Sequence, residues 1–545
     1  MAFTLIETVD SDPNFILAQC SEEEKFKSGD YVWITNKIKQ WVGQLTQPPI
    51  PIHRSNQKPT EPALLNLAEL MAQNPGILPG EIAHIIKIEV RGEITDGEMG
   101  EIETRWTGGA QVRTMTADDV VKYLRIPVYK EIAGCGSNAI GINTNAANTP
   151  FCLPEIVLDS HVMVCGATNS GKSNVVTNLI ALAASYGDCV FIYDSKPDFR
   201  LIAETNSDLA VAEMWKAFKH LRKVPYGFSD VYSIGFHGKC NKDKVKKVIG
   251  FWASSFEPDE LGSLFFVEKK DRLQGEVFAA AAFELQARLL TDGYIHPGGP
   301  NHYTIEDILE HVNQARPTGK GNAGAPASST INALLVKVRR RAKRLTWLDA
   351  IGQPVDQGIW GGINARLVEE FHFSDMVSPG RIVHVSLESI RRPSDHAMIL
   401  AFFLRAGFNY CHEDDSIGIT QAIEEASRVF KNDSEFAAPL LSAFYTAVQE
   451  GRTRNQSMIL SLQNASQLPA DVMQNLCTHI VMKQNNLRAA KDATQAMGEE
   501  FAQRATRLAR GKALVKMDDS PAILSVRMAP SPCELERIDN KGKLK

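Results

Sequence analysis

The fold is decided by one stretch of the chain, Val162-Met-Val-Cys-Gly166-Ala-Thr-Asn-Ser-Gly171-Lys172-Ser173. It predicts a buried strand, then the pattern G-x-x-x-x-G-K-S, then the start of an apolar helix. The glycines let backbone amides close around a phosphate, and the amino end of the helix adds partial positive charge. In this pattern the lysine reaches the β- and γ-phosphates, and the serine hydroxyl binds Mg²⁺. The stretch therefore predicts a site for ATP and Mg²⁺ with the following binding residues: Gly166, Ala167, Thr168, Asn169, Ser170, Gly171, Lys172, Ser173 and Asn174.

Hydrolysis of a nucleotide requires two further groups: a carboxylate for the metal and its water, and a group that acts on the attacking water. Adjacent carboxylates follow a partly apolar run in Ser416-Ile-Gly-Ile-Thr-Gln-Ala-Ile-Glu424-Glu425. We expect Glu424 to hold the magnesium shell together with Ser173, and Glu425 to act on water. The other interpretation is a charged pair at the start of a helix.

Two other predicted strands also end in polar residues. Val190-Phe-Ile-Tyr-Asp194-Ser-Lys196 ends at the carboxyl edge of the sheet, where doubly wound sheets bind ligands. Asp194 and Lys196 then face the nucleotide or a neighbouring subunit, unless this is an edge turn with solvated charges. Ser457-Met-Ile-Leu-Ser-Leu-Gln463 ends in an amide suited to sensing the γ-phosphate, although a glutamine after a strand is commonplace.

Composition excludes several classes of protein. The chain has 545 residues, 44% hydrophobic and 23% charged, which predicts several folded domains and excludes wholesale disorder. The net charge of -5 excludes a general positive field, so any contact with nucleic acid must be local. The nine cysteines form no C-x-x-C pair, which argues against a disulfide framework or a zinc ribbon. We find no signal sequence and no apolar run of membrane-spanning length, so we expect a cytoplasmic protein without membrane contact.

The length and spacing of the apolar runs change along the chain. Before about residue 150 the apolar pieces are short and β-branched, as in Tyr31-Val-Trp-Ile and Ile82-Ala-His-Ile-Ile, which predicts a small β-barrel or sandwich. From about Val157 apolar runs alternate with helical patterns. This alternation predicts an α/β fold with a mainly parallel sheet.

A mainly helical insertion is expected to interrupt the α/β fold between residues 208 and 345. Within it, Thr304 and Asp307 are spaced like a helix cap and its partner. The Gly-, Pro- and Ala-rich residues 316–329 predict a mobile loop. We expect the sheet to resume near Arg381.

Five blocks of the sequence carry a family resemblance. They are Lys27-Ser-Gly-Asp-Tyr-Val-Trp-Ile with Trp41-Val-Gly-Gln-Leu; Asn138-Ala-Ile-Gly-Ile with the phosphate loop; Phe191-Ile-Tyr-Asp-Ser-Lys-Pro-Asp-Phe; Ser378-Pro-Gly-Arg-Ile-Val-His-Val-Ser-Leu; and Ile423-Glu-Glu-Ala-Ser through Gln463. In this order, and with Glu450-Gly-Arg452-Thr-Arg454 before the last strand, they resemble the HerA-like branch of the HerA/FtsK family of hexameric P-loop DNA translocases. The resemblance spans most of the chain.

The resemblance implies a RecA-like ATPase core that assembles as a six-membered ring. ATP lies between neighbouring subunits of such a ring, and an arginine of one subunit reaches the nucleotide of the next. Arg452 is the implied finger, and Arg454 is the second candidate. The implied domains are an N-terminal HAS-barrel-like module (1–150), an ATPase core in two parts (151–207 and 346–528), the helical insertion (208–345) and a C-terminal arm (529–545) able to drape over a neighbour.

The sequence departs from the family pattern at three places. Asn169 stands where the family often has glycine, and Ser427 replaces the usual histidine after the paired carboxylates. The helical insertion matches only loosely. The final segment, Ala513 to Met528, resembles the closing hairpin of the family.

The function implied by the resemblance is an ATP-hydrolysing hexameric motor that translocates on double-stranded DNA. It would work with an effector, such as a nuclease or a sirtuin-like NAD hydrolase, in DNA end processing or phage defence, and the N-terminal barrel would dock that effector. The alternative is a ring scaffold that binds ATP to assemble and activate an effector without moving DNA. Lys337-Val-Arg-Arg-Arg-Ala-Lys-Arg344 either lines a pore or contacts phosphates, or is a solvated or partner-facing charged surface.

Overall fold

The structure is a computed structural model that describes most of the chain. The described residues are 5–6, 15–20, 26–27, 29–36, 38–46, 50–52, 83–104, 110–146, 148–237, 245–266, 271–297, 299–315, 327–355, 367–412, 416–426 and 437–536. Most of the predicted loop at 316–329, Ser427 and the end of the predicted arm therefore lie outside the described residues.

Strands are distributed along the whole chain. In chain order they are β1 (Leu5–Ile6), β2 (Phe15–Cys20), β3 (Tyr31–Thr35), β4 (Gln40–Leu45), β5 (Ile50–Ile52), β6 (Ala83–Thr95), β7 (Glu98–Gly100), β8 (Gln111–Thr114), β9 (Glu131–Ile132), β10 (Gly136–Ser137), β11 (Ala139–Asn143), β12 (Pro150–Cys152), β13 (Val162–Cys165), β14 (Cys189–Asp194), β15 (Val231–Phe236), β16 (Lys247–Gly250), β17 (Glu369–Glu370), β18 (Ile382–Ser386), β19 (Ile419–Ile423), β20 (Gln456–Leu462), β21 (Thr478–Met482), β22 (Lys512–Met517) and β23 (Ile523–Met528).

The α-helices begin after the N-terminal strands. They are α1 (Ala117–Tyr123), α2 (Glu155–Leu158), α3 (Lys172–Tyr186), α4 (Leu209–Lys216), α5 (Pro258–Phe265), α6 (Arg272–Asp292), α7 (Ile305–Gln314), α8 (Ser328–Ala342), α9 (Phe373–Met376), α10 (Pro393–Tyr410), α11 (Ala437–Glu450), α12 (Ala470–Gln474), α13 (Leu487–Ala493) and α14 (Glu499–Arg507). Among the described residues, no helix combines the length and the apolar character that crossing a membrane requires.

The chain divides into two compact units. The first comprises Met1–Glu131, Ser137–Pro154 and Thr478–Ala529. The second comprises Ile132–Gly136, Glu155–Cys477 and Pro530–Lys545. The first unit thus contains residues from both halves of the chain. It is not a single consecutive segment.

An antiparallel sheet forms the N-terminal part of the first unit, in the order β1-β2-β6-β4-β3-β8, with β5 and β7 also paired to β6. Its long strand β6 alternates buried Ile86, Ile88 and Val90 with less buried Lys87 and Glu89. This period of two places one face on the core. The prediction of a small N-terminal β-module is confirmed.

The first unit also contains the last three strands of the chain, β21, β22 and β23. β11 pairs antiparallel with β12 and with β23, and β22 pairs antiparallel with β23 and with β21. The hairpin of β22 and β23 is the closing hairpin that the sequence predicted. Tyr31 connects this hairpin to the N-terminal sheet, because its hydroxyl donates to the Ile523 carbonyl over 3.0 Å and accepts from the Ile523 amide over 2.8 Å.

A parallel sheet forms the centre of the second unit, in the order β13-β20-β19-β14-β18-β15-β16-β17. Neighbouring strands in this order pair in parallel. β13, β14, β18, β19 and β20 are buried along their whole length, as expected when helices cover both faces of a sheet. The predicted α/β fold with a mainly parallel sheet is confirmed.

The parallel sheet already contains strands that precede Arg381, so the prediction that the sheet resumes near Arg381 was wrong. β15 and β16 lie inside the segment predicted as a helical insertion, and β15 pairs with both β16 and β18. β16 has only four residues, and the first half of β15 is only partly buried, so neither shows the continuous apolar run of a central strand. The rest of the segment is helical. The predicted cap of α7 is confirmed, since the Thr304 side chain accepts from the Asp307 amide and the Asp307 carboxylate accepts from the Thr304 amide.

The start of the predicted C-terminal arm lies on the second unit of its own chain. The Asn178 side-chain amide of α3 donates to the Pro530 carbonyl over 2.9 Å. The Glu536 amide donates to the Asp198 carbonyl over 3.1 Å, and the Glu536 carboxylate forms an ion pair with Arg200 at 3.1 Å. Residues 530–536 are therefore held by hydrogen bonds and an ion pair within this unit. The remaining arm residues, 537–545, lie outside the described part of the chain.

Candidate active site

The predicted phosphate loop connects the buried strand β13 to the start of α3, the fifteen-residue helix. Asn169 has φ 64° and Gly171 has φ 107°, so both adopt the left-handed conformation. Asparagine and glycine tolerate this conformation better than other residues do. The asparagine that departs from the family pattern thus fits the backbone of the loop.

Lys172 begins α3, and its side chain turns back into the loop. Its ammonium donates to the Gly166 carbonyl over 2.7 Å and to the Ala167 carbonyl over 3.1 Å. The residue is only 8% exposed. Burial lowers the pKa of Lys172, and the nearby carboxylate of Glu424 opposes this shift. The loop lysine therefore faces one of the two predicted carboxylates.

Glu424 follows β19 and is buried. Burial raises the pKa of Glu424 to about 7, and Asp198 and Asp194 add to the shift while Ser461 and Lys172 oppose it. Its Oε2 atom is buried and has no hydrogen-bond partner among the described residues. Buried carboxylate oxygens normally have partners. A metal ion with its water shell, held also by Ser173 at the start of α3, would satisfy this oxygen.

This donor set suits magnesium better than it suits a metal held by protein side chains alone. Among the described residues, no group of three or more His, Cys, Asp or Glu side chains has the geometry to hold a metal. Mg²⁺ commonly binds through one or two protein ligands, substrate phosphates and water. The residues present therefore fit a magnesium ion that arrives with a nucleotide.

Glu425 is buried and has φ 52°, a left-handed conformation that turns its side chain away from the path of the strand. Its Oε1 atom accepts from the Gln463 amide over 2.9 Å. The same oxygen forms an ion pair with the ammonium of Lys196. The structure thus brings together three residues that the sequence had considered separately.

The strand order explains this convergence. β20 lies between β13 and β19, and β14 lies on the other side of β19. The carboxyl ends of parallel strands lie at one edge of the sheet, so the residues that follow these four strands become neighbours. They are the phosphate loop, Gln463, the Glu424-Glu425 pair and the Asp194 turn.

Asp194 shapes the turn that carries Lys196. It is 2% exposed, and its carboxylate accepts from the Lys196 amide over 3.1 Å and from the Phe199 amide over 3.0 Å. A third partner is the His384 Nε2 atom, at 3.1 Å. Asp194 is therefore a buried structural carboxylate of the site and not a solvated edge charge.

Sequence reasoning had not singled out Asp198 or His384. Burial raises the pKa of Asp198 to about 6, with Asp194 adding to the shift and Lys196 opposing it. His384 stands in the mostly apolar strand β18 and is 3% exposed. A histidine between two valines of an otherwise mostly apolar strand was the available signal for His384.

The two candidate finger arginines lie in different surroundings. Arg454 contacts His412, stacks over the Phe408 ring at 5.1 Å and lies 4.0 Å from the Glu450 carboxylate. Arg452 is exposed and makes no hydrogen bond or ion pair with another described residue. Burial raises the pKa of Asp159, just before β13, to about 6, and the charge of Arg452 opposes that shift. Arg452 thus lies at the amino edge of the sheet.

A family model decides the type of the phosphate loop. Residues 134–188, which contain β13, the loop and α3, match the model of the FtsK/SpoIIIE family. The loop segment is of the FtsK/SpoIIIE type. NTPases of this family hydrolyse ATP, and the prediction of an ATP-hydrolysing P-loop enzyme similar to this family is confirmed. The match does not address the HerA-like branch, which stays a prediction.

Solved structures show further similarity. The bacterial conjugative coupling protein TrwB is 12% identical, with 76% of this chain and 92% of that chain covered and a TM-score of 0.48. VirB4 of Thermoanaerobacter pseudethanolicus is 15% identical, with 72% and 95% covered and a TM-score of 0.43. The genome packaging NTPase B204 of Sulfolobus turreted icosahedral virus 2 is 18% identical, with 29% and 71% covered and a TM-score of 0.24. No curated protein matches the chain.

Proposed function

We propose that the chain is an ATP-driven motor that assembles as a hexameric ring and moves double-stranded DNA. One observation carries the proposal: a loop lysine, a buried carboxylate with one unpartnered oxygen and an oriented second carboxylate share one edge of a parallel sheet. Lys172 faces Glu424, and Glu425 is held by Lys196 and Gln463. These are the groups that hydrolysis of a triphosphate requires.

Each group has a distinct role in this proposal. Lys172 and the loop amides bind the triphosphate, and Ser173 and Glu424 hold Mg²⁺, which when bound neutralises charge on the phosphates. Glu425 orients the attacking water and accepts its proton. Lys196 and Gln463 fix the position of the Glu425 carboxylate, and Gln463 is also placed to sense the γ-phosphate.

The position of Arg452 supports a site shared between subunits. It precedes β20, whereas Gln463 follows the same strand. A strand of seven residues spans about 23 Å, so Arg452 is too far away to reach the nucleotide of its own subunit. An exposed arginine at this edge is suited to a neighbour's nucleotide, as in a ring. Arg454 is already engaged within its own chain.

The effector and its docking surface rest on the family resemblance alone. In this proposal a nuclease or a sirtuin-like NAD hydrolase docks on the N-terminal antiparallel sheet, and the assembly acts in the cytoplasm in DNA end processing or phage defence. The net charge of -5 keeps DNA away from most of the surface, so DNA must contact local basic groups.

The test measures ATP hydrolysis with and without duplex DNA, together with the size of the protein in solution with ATP. We expect a ring whose hydrolysis is stimulated by DNA, and we expect Glu425→Gln to abolish hydrolysis while nucleotide still binds. Glu213→Gln removes a charge from an exposed side chain of α4 and serves as the matched control. A ring that ignores DNA would favour the scaffold alternative, and a lone chain in the presence of ATP would contradict both.

A further inference from the structure

The second unit contains a basic cleft outside the nucleotide site. It has a volume of about 710 Å³ and lies beside α8, and we define the basic cleft by Lys337, Arg340, Arg341 and Arg344 together with Arg392. Among the described residues that line it, Asp271 is the only acidic one. The cleft thus concentrates positive charge on a chain whose net charge is -5.

The rotation of α8 is set by its apolar face. Ile331, Leu334, Leu335 and Val338 are buried at spacings of three and four residues. The basic residues at 337, 340, 341 and 344 repeat the same spacing on an adjacent face. Because the apolar face is packed inside, the four basic side chains are held in one row along the cleft.

One basic side chain of the cleft is paired with a carboxylate of the same chain, and others are exposed to solvent. Lys337 forms an ion pair with Asp271 and lies 5.6 Å from the Phe266 ring centre. Arg340, Arg344 and Arg392 are exposed. Burial lowers the pKa of Arg341, and the charge of Arg392 lowers it further although Asp395 opposes the shift. Arg341 and Arg392, from different elements, therefore converge on the same cleft, which favours an anionic ligand.

We propose that the basic cleft binds the phosphodiester backbone of one strand of nucleic acid. From Lys337 to the end of α8 at Ala342 the helix rises about 8 Å, and Arg344 lies in the turn that follows, so the row is about 10 Å long. One strand of a duplex carries a phosphate every 3.4 Å or so along its axis and also winds around that axis, so about two successive phosphates face this row. Arginine suits such contacts because its planar fork matches phosphate oxygens. A regular row of like charges fits a repeating backbone better than it fits a folded acidic protein surface.

The proposal deepens the motor function and rests on it, because the cleft is connected to the nucleotide site. Arg392 ends the loop that follows β18. At the start of that loop the Leu387 amide donates to the Asp194 carbonyl over 2.9 Å. Arg200, from the turn after β14, donates to the Glu388 carboxylate over 2.7 Å. Nucleic acid in the cleft would therefore touch a loop that is hydrogen-bonded to the turn carrying Lys196.

The test compares two double variants of the full chain, Arg340→Ala/Arg344→Ala and Arg339→Ala/Lys343→Ala. Both remove two positive charges from the same helix end, but Arg339 pairs with Glu306 and neither control residue lines the cleft. Binding of a short labelled DNA duplex is measured over a range of salt concentrations. We expect the cleft variant to bind about tenfold or more weakly, with a salt slope smaller by about 2. The control variant should bind like the wild type.

Thermal unfolding of both variants checks that each folds. Equal weakening by the two variants would show that the basic residues act only through overall charge, and would overturn the proposal. Wild-type affinity in the cleft variant would also overturn it, and would leave the surface to an acidic partner while the motor still stands. If the wild type itself neither binds duplex DNA nor is stimulated by it, the motor function fails, which is a distinct result.

Discussion

Lys196 and Glu425 form an ion pair although 229 positions separate them in the chain. Lys196 follows β14 and Glu425 follows β19, and these two strands are parallel neighbours. Glu425 is almost fully buried, whereas the Lys196 side chain is 37% exposed. The ion pair therefore holds a buried carboxylate from the solvent side, next to the amide of Gln463, and fixes where that carboxylate can accept a proton.

Replacing Lys196 tests whether this ion pair positions Glu425 for catalysis. We expect Lys196→Ala to lower kcat for ATP hydrolysis by about tenfold to a hundredfold, because residues that orient a reacting group typically have effects of this size. The KM for ATP should change little, since Lys196 does not contribute to the phosphate loop. Steady-state kinetics separate the two quantities.

Two companion variants sharpen this result. Lys196→Arg keeps the charge and should restore part of kcat. Lys216→Ala removes an exposed lysine of α4 and should change neither quantity. A kcat that rises in Lys196→Ala would contradict the positioning role and would identify the ion pair as a restraint on Glu425.

The adjacent glutamates should respond oppositely to loss of charge. Glu424 has a pKa raised to about 7 from 4.5, chiefly by burial, so its ionised form is disfavoured in the folded state. Glu425 is instead paired with Lys196. We expect Glu424→Gln to stabilise the nucleotide-free protein at alkaline pH by up to about 3 kcal/mol. Glu425→Gln should not stabilise it, because Lys196 then loses its partner.

The raised pKa of Glu424 determines whether its contribution to the free energy of unfolding rises or falls with pH. The folded state binds the Glu424 proton more tightly than the unfolded state, so this residue makes stability fall as pH rises from about 4.5 to about 7. The advantage of Glu424→Gln over the wild type should be near zero at about pH 4.5 and largest above about pH 7. Thermal unfolding across this range measures it. An advantage that does not change with pH would refute the assignment of the raised pKa.

Local patterns were sufficient to predict the parts of the site but not their arrangement. The phosphate loop, Glu424, Glu425 and Gln463 each follow a strand whose apolar residues are recognisable in the sequence. That β20 lies between β13 and β19 is a property of the whole sheet, and no short stretch encodes it. The ion pair of Lys196 with Glu425 depends on this order, which is why the sequence alone does not decide whether Lys196 faces the nucleotide or a neighbouring subunit.

The missed elements have a different cause. β15 begins with partly buried residues and β16 is short, so both lack the apolar run that marked β13 and β20. Their strand conformation comes from pairing with β18 and with each other. Tertiary pairing thus overrode weak local signals in a segment that the sequence predicted as mainly helical.

Asp349 should be important for the stability of the helical segment. Its two carboxylate oxygens accept from the Ala253 amide over 2.8 Å and from the Ile305 amide over 2.7 Å. We expect Asp349→Ala to destabilise the protein by about 2–4 kcal/mol, because two backbone donors lose their partners. Asp349→Asn keeps one acceptor and should lie between the variant and the wild type in thermal unfolding. An unchanged unfolding temperature in Asp349→Ala would show that water replaces both bonds.

The proposed role of Arg452 requires a ring in which each nucleotide site is shared between two subunits. If Arg452 serves the nucleotide of a neighbouring subunit, its loss should lower the rate of hydrolysis by about 10³-fold or more while nucleotide binding remains. Arg454→Ala is the matched control, because Arg454 is engaged by Phe408 and His412 in its own chain. It should affect stability more than turnover.

Mixing variants then tests whether the site is shared. Glu425→Gln subunits lack the group that acts on water but keep Arg452, and Arg452→Ala subunits have the reverse defect. In a mixed ring an Arg452→Ala subunit retains a complete set of carboxylates and can receive the finger of a Glu425→Gln neighbour. We therefore expect ATP hydrolysis to reappear on mixing two preparations that are each inactive alone, with subunit exchange verified by differently labelled subunits. Exchanged but inactive mixtures would show that Arg452 does not act across a subunit boundary, and the seam between subunits would need another arginine.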